Sequence, residues 1–140
     1  MTKLILEDGK SHRRHRPELS KHLEHSEGDV RIATAYVTER QLFLGAGERR
    51  VKLLTSLLPK DVATGATSLE ALGALIEAGV ECRSLPQSPR LHAKVYVFGD
   101  SCAVVTSANL TNKALNSNIE VGVQTSASDT RELIGWFEEL

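Results

Sequence analysis

The sequence lacks several features that define whole classes of protein. It has only two cysteines in 140 residues, too few for a small disulfide-stabilised scaffold. Cys82 and Cys102 share no motif with each other or with a histidine, so we expect two buried free thiols. No apolar stretch approaches the roughly 18 residues that a membrane span requires, and the apolar run near the N-terminus is too short for a secretory signal. These absences predict a soluble protein without a membrane partner and with a cytoplasmic location.

Aromatic residues are also scarce, at 4% of the chain, which argues against an extensive stacking platform for single-stranded nucleic acid. The remaining composition is ordinary, with 41% hydrophobic and 25% charged residues. This balance is typical of globular proteins and unlike that of disordered or collagen-like chains. The length suits one domain over residues 1–140, whether this is a whole protein or a piece of a longer one.

The net charge of −1 does not by itself indicate a nucleic-acid partner, but the basic residues are unevenly placed. Residues 1–52 hold 11 Lys and Arg against 8 Asp and Glu, and much of the excess lies in the run Lys10-Ser-His-Arg-Arg-His-Arg16. Such a run is either a solvated loop or a local basic patch that holds phosphates on an otherwise neutral protein. In the second interpretation, Arg13, Arg14 and Arg16 contact nucleic acid.

Segments rich in β-forming residues alternate with segments of helical character. Strands are predicted over residues 30–37, 51–56, 80–84, 91–98, 102–107 and 118–125, with a hairpin turn at Gly99-Asp-Ser101. Helices are predicted from Pro17, over residues 38–45, after Thr67-Ser-Leu-Glu70 and after Ser128-Asp129. This order predicts an α/β fold with a mixed, largely parallel β-sheet flanked by helices.

Two of the predicted helices have one apolar face each. In the helix after Thr67, the face consists of Leu69, Leu72 and Ile76. In the last helix, it consists of Leu133, Trp136, Phe137 and Leu140. Such stripes are typical of packing against a core or another subunit rather than of a cofactor site.

Polar residues of the types used in catalysis recur at strand spacing in the second half of the chain. Side chains alternate across a strand, so His92 and Lys94 share one face of the strand over residues 91–98. Ser107 and Asn109 are likewise two residues apart, and Glu120 points away from its apolar neighbours. If these strands are neighbours, the five side chains converge. An imidazole, a cation, hydrogen-bond donors and a carboxylate together suit the handling of a phosphoryl group.

The stretch from His92 to Glu120 resembles the signature of the phospholipase D superfamily. His92-Ala-Lys94 matches the H-x-K element, Ser107-Ala-Asn109 matches the Ser-x-Asn element, and Glu120 stands where nuclease-type members carry a carboxylate. The motif covers about a fifth of the chain. One element differs, because the family's aspartate usually follows the histidine by seven residues, where this chain has Gly99, with Asp100 one residue later.

The resemblance implies a metal-independent phosphodiesterase that uses no cofactor. In the family, a histidine attacks phosphorus to form a phosphohistidine, and a second histidine protonates the leaving oxygen. Two copies of the motif are needed and this chain has one, so the resemblance implies a homodimer with the site on its two-fold axis. The single motif and the basic run favour an endonuclease acting on DNA, with RNA less favoured. His92, Lys94, Asn109, Glu120 and Ser107 are the implied catalytic residues.

Other interpretations of these residues remain open or are disfavoured. A lipid phosphodiesterase and a non-catalytic nucleic-acid-binding module of a helicase or restriction system are the alternatives for the motif. Gly9-Lys10-Ser11 lacks the earlier glycine of a phosphate-binding loop, because position 4 is leucine. His22 and His25 lack companions for a metal site, so no metal is expected.

Overall fold

The structure is a computed structural model that describes residues 3–140, in seven strands and six helices. The strands are β1 (Lys3–Glu7), β2 (Val30–Ala33), β3 (Val51–Ser56), β4 (Glu81–Leu85), β5 (Val95–Phe98), β6 (Cys102–Thr106) and β7 (Glu120–Gln124). The helices are α1 (His15–His25), α2 (Gln41–Leu44), α3 (Pro59–Ala63), α4 (Leu69–Glu77), α5 (Asn112–Asn116) and α6 (Ala127–Glu139).

The strands form one mixed sheet in the order β1-β7-β6-β5-β2-β3-β4. The α/β class with a mixed sheet between helices is confirmed. The parallel part is smaller than predicted, because only β2–β3 and β3–β4 are parallel. The other four strand pairs are antiparallel. The reason is topological: strand–helix–strand crossovers give parallel pairs in the first half, whereas β5 and β6 are joined by a tight hairpin.

The two faces of the sheet are covered unequally. Helices α1, α2, α4 and α5 pack their buried apolar side chains on one face, around Ile32, Leu53, Tyr96 and Phe98. The opposite face carries a smaller cluster, in which Phe137 of α6 packs on sheet residues. Alternation along β5 produces this division, since Tyr96 and Phe98 belong to the first cluster and Val95 and Val97 to the second.

Several element boundaries differ from the predictions. The predicted strand 30–37 leaves the sheet after Ala33, and residues 91–94 precede β5 instead of belonging to it. Helix α1 begins at His15 rather than Pro17, and helices α4 and α6 are capped by Ser68 and Ser126. Strand β1 and helices α3 and α5 were not expected, because each is short and has little periodicity.

The buried faces of two helices also differ from the predicted ones. In α4 the buried side chains are Ala71, Leu72 and Leu75, whereas Leu69 and Ile76 are more than half exposed. Of the apolar face predicted for α6, Phe137 is buried, whereas Trp136 and Leu140 are exposed. The two cysteines are free, as expected, but only half-buried.

Candidate functional site

His92 and Lys94 lie next to each other at the start of β5. The Lys94 Nζ atom is 3.3 Å from His92 Nδ1 and 2.9 Å from the His92 carbonyl oxygen. The His92 side chain is exposed and Lys94 is half-buried. The spacing of two residues therefore places both on one side of the chain, as the alternation predicted, even though regular pairing begins only at Val95.

Ser107 and Glu120 meet at the same edge of the sheet. The Ser107 hydroxyl donates to Glu120 Oε2, and the Asn118 amide donates to Glu120 Oε1 at 3.3 Å. Strand β6 is antiparallel to both β5 and β7, so its end lies beside their beginnings. This antiparallel arrangement brings Ser107, Lys94 and Glu120 to one edge.

Asn109 is held by a backbone turn that leaves the sheet. Its Oδ1 atom accepts hydrogen bonds from Thr34 Oγ1 and from the Ala35 backbone N–H, both at 3.1 Å. The amide nitrogen, on the opposite side of the group, faces away from that turn. Asn109 also lines a polar groove of about 490 Å³ that it shares with Glu120. It is thus placed to donate a hydrogen bond to an anion at the edge of the sheet.

The charges at this edge influence one another. Burial lowers the pKa of Lys94, the Glu120 carboxylate opposes this shift, and Arg90 adds to it. Arg90 in turn donates to the Tyr36 hydroxyl at 2.9 Å, and Tyr36 lines the groove. The half-buried ammonium can offset the charge of an anion, and the exposed imidazole beside it can act chemically as a nucleophile or proton carrier.

The basic run is only partly a free loop. Arg13 donates to the Gly9 carbonyl oxygen at 2.7 Å, and Arg14 is exposed at the start of α1. Arg16, by contrast, forms an ion pair with buried Glu39 and a hydrogen bond with Asn116. The predicted patch is therefore an ordered turn in which Arg13 and Arg14 face solvent, while the charge of Arg16 is largely neutralised.

Gly99 explains the departure from the family motif. Its φ is +64°, and a Cβ atom at this position would lie 2.2 Å from the Glu27 carbonyl oxygen. An aspartate seven residues after His92 is therefore incompatible with this hairpin. Asp100, one residue later, is exposed at the turn.

Two buried residues that lie behind the site could not be predicted from the sequence. Thr106 and His15 are buried beneath it and hydrogen-bonded to each other at 2.7 Å. Asn118, which contacts Glu120 directly, carried one available signal: it lies two residues before that glutamate. His15 belonged to the basic run, and nothing in its local pattern marked it as buried.

Two further observations concern residues 3–140. Among them, no three His, Cys, Asp or Glu side chains come together as potential metal ligands. No helix in this described range is both long and apolar enough to cross a bilayer.

Comparison with known proteins agrees with the fold and with the motif. Residues 19–140 match the sequence profile of the family described as cardiolipin synthase, PLD-like domain. No curated protein sequence matches the chain significantly.

Solved structures show the same fold at low sequence identity. Nuc from Salmonella typhimurium, a phospholipase D family member, superposes with a TM-score of 0.82 at 16% identity, covering 99% of this chain and 92% of that one. NucT from Helicobacter pylori gives a TM-score of 0.79 at 15% identity, with 99% and 94% covered. TrmBL2, an archaeal chromatin protein with a novel mode of DNA binding, gives 0.64 at 13% identity, with 99% of this chain and 50% of that one covered.

The sheet and its polar edge define a domain of the phospholipase D type, a class associated with phosphodiester chemistry. The profile match covers most of the chain, and the chain belongs to the phospholipase D superfamily through the PLD-like domain family. The resemblance seen in the motif is thereby confirmed.

Proposed function

We propose that this chain is a metal-independent phosphodiesterase that cleaves nucleic acid, DNA in preference to RNA, at a site completed by a second copy of the chain. The observation that carries the proposal is the contact between His92 and Lys94 at the sheet edge shared with Ser107 and Glu120. An exposed imidazole beside a half-buried ammonium is suited to attack on an anionic phosphodiester whose charge the cation offsets.

The proposed reaction has two displacements at phosphorus. A His92 ring nitrogen attacks phosphorus, the bond from phosphorus to the leaving oxygen breaks, and an imidazolium from the other copy donates its proton to that oxygen. The same imidazole then takes a proton from water, whose oxygen attacks phosphorus and releases His92. Lys94 and the Asn109 amide hold the non-bridging oxygens, and Glu120 orients an imidazole. No co-reactant besides water is required.

The other four histidines of the chain bear on the need for a second copy. His15 is fully buried, His22 packs against Phe98, and His25 lies at the opposite end of α1 from His15, with its Nδ1 atom 2.8 Å from the Lys21 carbonyl oxygen. His12 is exposed and shares a shallow depression with Ser107 and Glu120, and its Nδ1 is hydrogen-bonded to Asp8 at 3.1 Å, which leaves Nε2 as the alternative acid within the same chain. Because the motif occurs once in the chain, our candidate for the second imidazole is His92 of the second copy.

Exposed apolar side chains beside the site support association of two copies. Ile119 is 85% exposed and Val121 53% exposed, and both border the depression that contains Ser107 and Glu120. Contiguous exposed apolar surface is typical of contact sites. A two-fold contact that covers Ile119 places a second site edge next to the first.

Two features favour nucleic acid as the substrate. Arg13 and Arg14 lie on the turn next to this depression, where they can contact phosphates flanking the cleaved one. The groove beside Asn109 is lined by hydroxyl and amide groups and by Lys113, which suits a sugar–phosphate chain better than an acyl chain. The matched family description and the apolar border at Ile119 favour the second candidate, a lipid phosphodiesterase.

A plasmid-nicking assay in excess EDTA tests the proposal. We expect wild-type protein to nick supercoiled DNA in chelator, and His92→Ala to abolish turnover without loss of the fold. Lys94→Ala is expected to lower activity by about 100-fold or more, because it removes the cation that offsets the charge of the phosphodiester in the proposed shared site. Parallel reactions on RNA and on phospholipid vesicles distinguish the substrate classes. Activity lost in EDTA and restored by magnesium contradicts the histidine mechanism, and binding without turnover favours the non-catalytic module.

Mixed dimers test the shared site. When His92→Ala protein is mixed with wild type and exchanged, activity is expected to fall with the fraction of dimers that hold two wild-type chains. Ile119→Asp is expected to give monomers in sedimentation analysis and to lose activity, whereas His12→Ala retains activity. A fully active monomer, or loss of activity in His12→Ala, assigns the acid to the same chain and refutes the shared site.

A further inference from the structure

A buried polar cluster lies directly behind the site edge. Glu7 of β1 is 2% exposed, and His15, the first residue of α1, is 0% exposed. Glu7 is the register partner of Glu120 across the β1–β7 pair, and its Oε1 atom accepts the His15 backbone N–H at 3.2 Å. The cluster continues through the His15 ring to Thr106 Oγ1 at 2.7 Å. The proposed reaction uses none of these three side chains.

Three groups surround the Thr106 hydroxyl. It lies 3.1 Å from the Val121 carbonyl oxygen, which can accept its single proton. The Thr106 oxygen accepts the Ala108 backbone N–H, also at 3.1 Å. His15 Nε2 lies 2.7 Å from Thr106 Oγ1, and the ring tautomer sets which of the two atoms donates, so the two side chains are hydrogen-bonded with either tautomer. Burial lowers the pKa of His15, with Glu7 and Glu120 opposing, which favours a neutral ring.

Through Thr106, His15 is connected to all three strands of the site. The Thr106 backbone N–H donates to the Lys94 carbonyl oxygen at 3.1 Å. Val121, whose carbonyl oxygen contacts the Thr106 hydroxyl, follows Glu120 in the chain. Ala108, whose N–H donates to that hydroxyl, precedes Asn109. The hydrogen bond from the His15 ring therefore fixes one hydroxyl that connects the backbone beside Lys94, Asn109 and Glu120.

The contact between His15 and Thr106 requires a strand residue without a side chain. Gly122 faces Thr106 across the β6–β7 pair. A Cβ atom on Gly122 would lie 2.8 Å from the Thr106 Cβ and 3.2 Å from His15 Nε2. Strand residues ordinarily carry a side chain that packs on their neighbours, and glycine weakens a strand. The close approach of His15 to Thr106 is thus built into the strand that carries Glu120.

The cluster is poorly explained by stability alone. Among the described residues, neither Glu7 Oε2 nor His15 Nδ1 has a hydrogen-bond partner, although both atoms are buried. Unpaired buried polar atoms destabilise a fold, and well-packed apolar residues of similar volume often serve stability at least as well. A polar group retained at such a position is better accounted for by what its remaining hydrogen bond aligns.

We propose that His15 is a positioning residue for the phosphodiesterase site, acting through Thr106 to align the backbone that carries Lys94, Asn109 and Glu120. The inference rests on the proposed function for its kinetic readout. Displacements of about 1 Å at a reacting centre cost up to about 100-fold in rate, so the alignment is measurable in kcat.

Steady-state hydrolysis of bis(4-nitrophenyl) phosphate, a chromogenic phosphodiester, separates positioning from folding. We expect His15→Leu to lower kcat by about tenfold to 100-fold with less than about threefold change in KM. His15→Gln, whose amide can donate to Thr106, is expected to recover most of kcat. Thr106→Val is expected to behave like His15→Leu, and the double variant to be no worse than the worse single variant, because both remove one connection.

His22→Leu is the matched control, since His22 lies on the same helix and packs against Phe98 without contacting the site. We expect it to change thermal stability but to leave kcat within about twofold. Assays at a temperature where all variants are folded, verified by circular dichroism, exclude simple unfolding. A His15→Leu protein that is folded and retains wild-type kcat overturns the inference, as does failure of His15→Gln to exceed His15→Leu.

Binding of orthovanadate, measured by calorimetry, tests the role of His15 without requiring turnover. We expect His15→Leu to weaken vanadate binding by about tenfold relative to both wild type and His22→Leu. A wild-type protein that binds vanadate but cleaves no phosphodiester refutes the proposed function while the comparison of variants still decides the role of His15. Absence of vanadate binding by the wild type overturns both, because no anion site then exists for His15 to align.

Discussion

Replacing Arg16 tests whether the basic run is a phosphate-binding patch or part of the fold. Glu39 is 3% exposed, and its carboxylate forms an ion pair with the Arg16 guanidinium, which is itself 31% exposed. The other carboxylate oxygen accepts the Leu42 backbone N–H at 3.1 Å. Arg16→Met keeps the aliphatic part of the side chain and removes the cation, so the Glu39 carboxylate is left with backbone N–H donors of α2 and no counter-charge.

The magnitude follows from the burial of each partner. Breaking a fully buried ion pair by removing one member costs about 3–5 kcal/mol in the free energy of unfolding. Because Arg16 is partly exposed, water can replace the guanidinium in part, and we expect a loss of about 2 kcal/mol. For a chain of this length, that corresponds to a decrease of about 6 °C in Tm.

Urea unfolding of Arg16→Met and Arg14→Met measures the difference. Arg14 is exposed at the start of α1 and makes no side-chain capping bond, so its replacement is expected to change stability by less than about 0.5 kcal/mol. Arg14→Met is instead expected to weaken DNA binding and to reduce its salt dependence. Adding Glu39→Gln to Arg16→Met is expected to restore part of the lost stability, because a neutral amide is less costly to bury.

The pH dependence has a definite sign. Burial raises the pKa of Glu39, but the Arg16 hydrogen bond and the Leu42 N–H outweigh it, so the net pKa is below the ordinary value. The stabilisation is therefore complete above the unfolded glutamate pKa of about 4.3 and is lost as the pH falls through the folded value. The difference in the free energy of unfolding between wild type and Arg16→Met should therefore decrease at acidic pH. If Arg16→Met and Arg14→Met both changed stability only slightly at pH 7, the importance of the Arg16–Glu39 pair would be refuted. Arg16 would then belong to the phosphate-binding patch.

Three further predictions concern single positions. Gly99→Asp, which restores the family aspartate, is expected to lower Tm sharply in a thermal melt, because its Cβ would meet the Glu27 carbonyl oxygen; an unchanged Tm contradicts this. Leu75→Ala in α4 is expected to cost about 2–5 kcal/mol in urea unfolding, whereas exposed Leu69→Ala costs less than about 1 kcal/mol; the reverse order would support the face predicted from sequence. Burial lowers the pKa of His15, so the unfolded chain binds the proton first and stability declines as pH falls below about 6.5. His15→Gln should reduce that decline between pH 7 and 5, and an identical decline excludes His15 as its source.

Local sequence pattern was sufficient for the central part of the site. The spacing of His92 and Lys94 placed both on one side of the chain, because backbone alternation in extended chain is a short-range property. The hairpin turn at Gly99 and the strand over residues 51–56 were predictable from other local signals, namely turn-forming residues and a short run of β-forming residues. The convergence of Ser107 and Glu120 was an expectation that depended on strand order, and the antiparallel pairing of β6 with β7 provided that order.

Long-range contacts determined what local pattern could not. His15 and Thr106 are 91 residues apart in the chain, and nothing near His15 distinguishes it from the exposed His12. Helix α1 crosses beneath the sheet, and that packing buries one histidine of the basic run and pairs Arg16 with Glu39. The side chains of this run are chemically alike, so their separate environments arise only when the whole chain folds. The sequence by itself determined which reactive side chains stand at the sheet edge, since their spacing in the strands is local. The tertiary structure decided which charges are neutralised and which histidine is buried beneath the edge, because burial depends on elements that are distant in the chain.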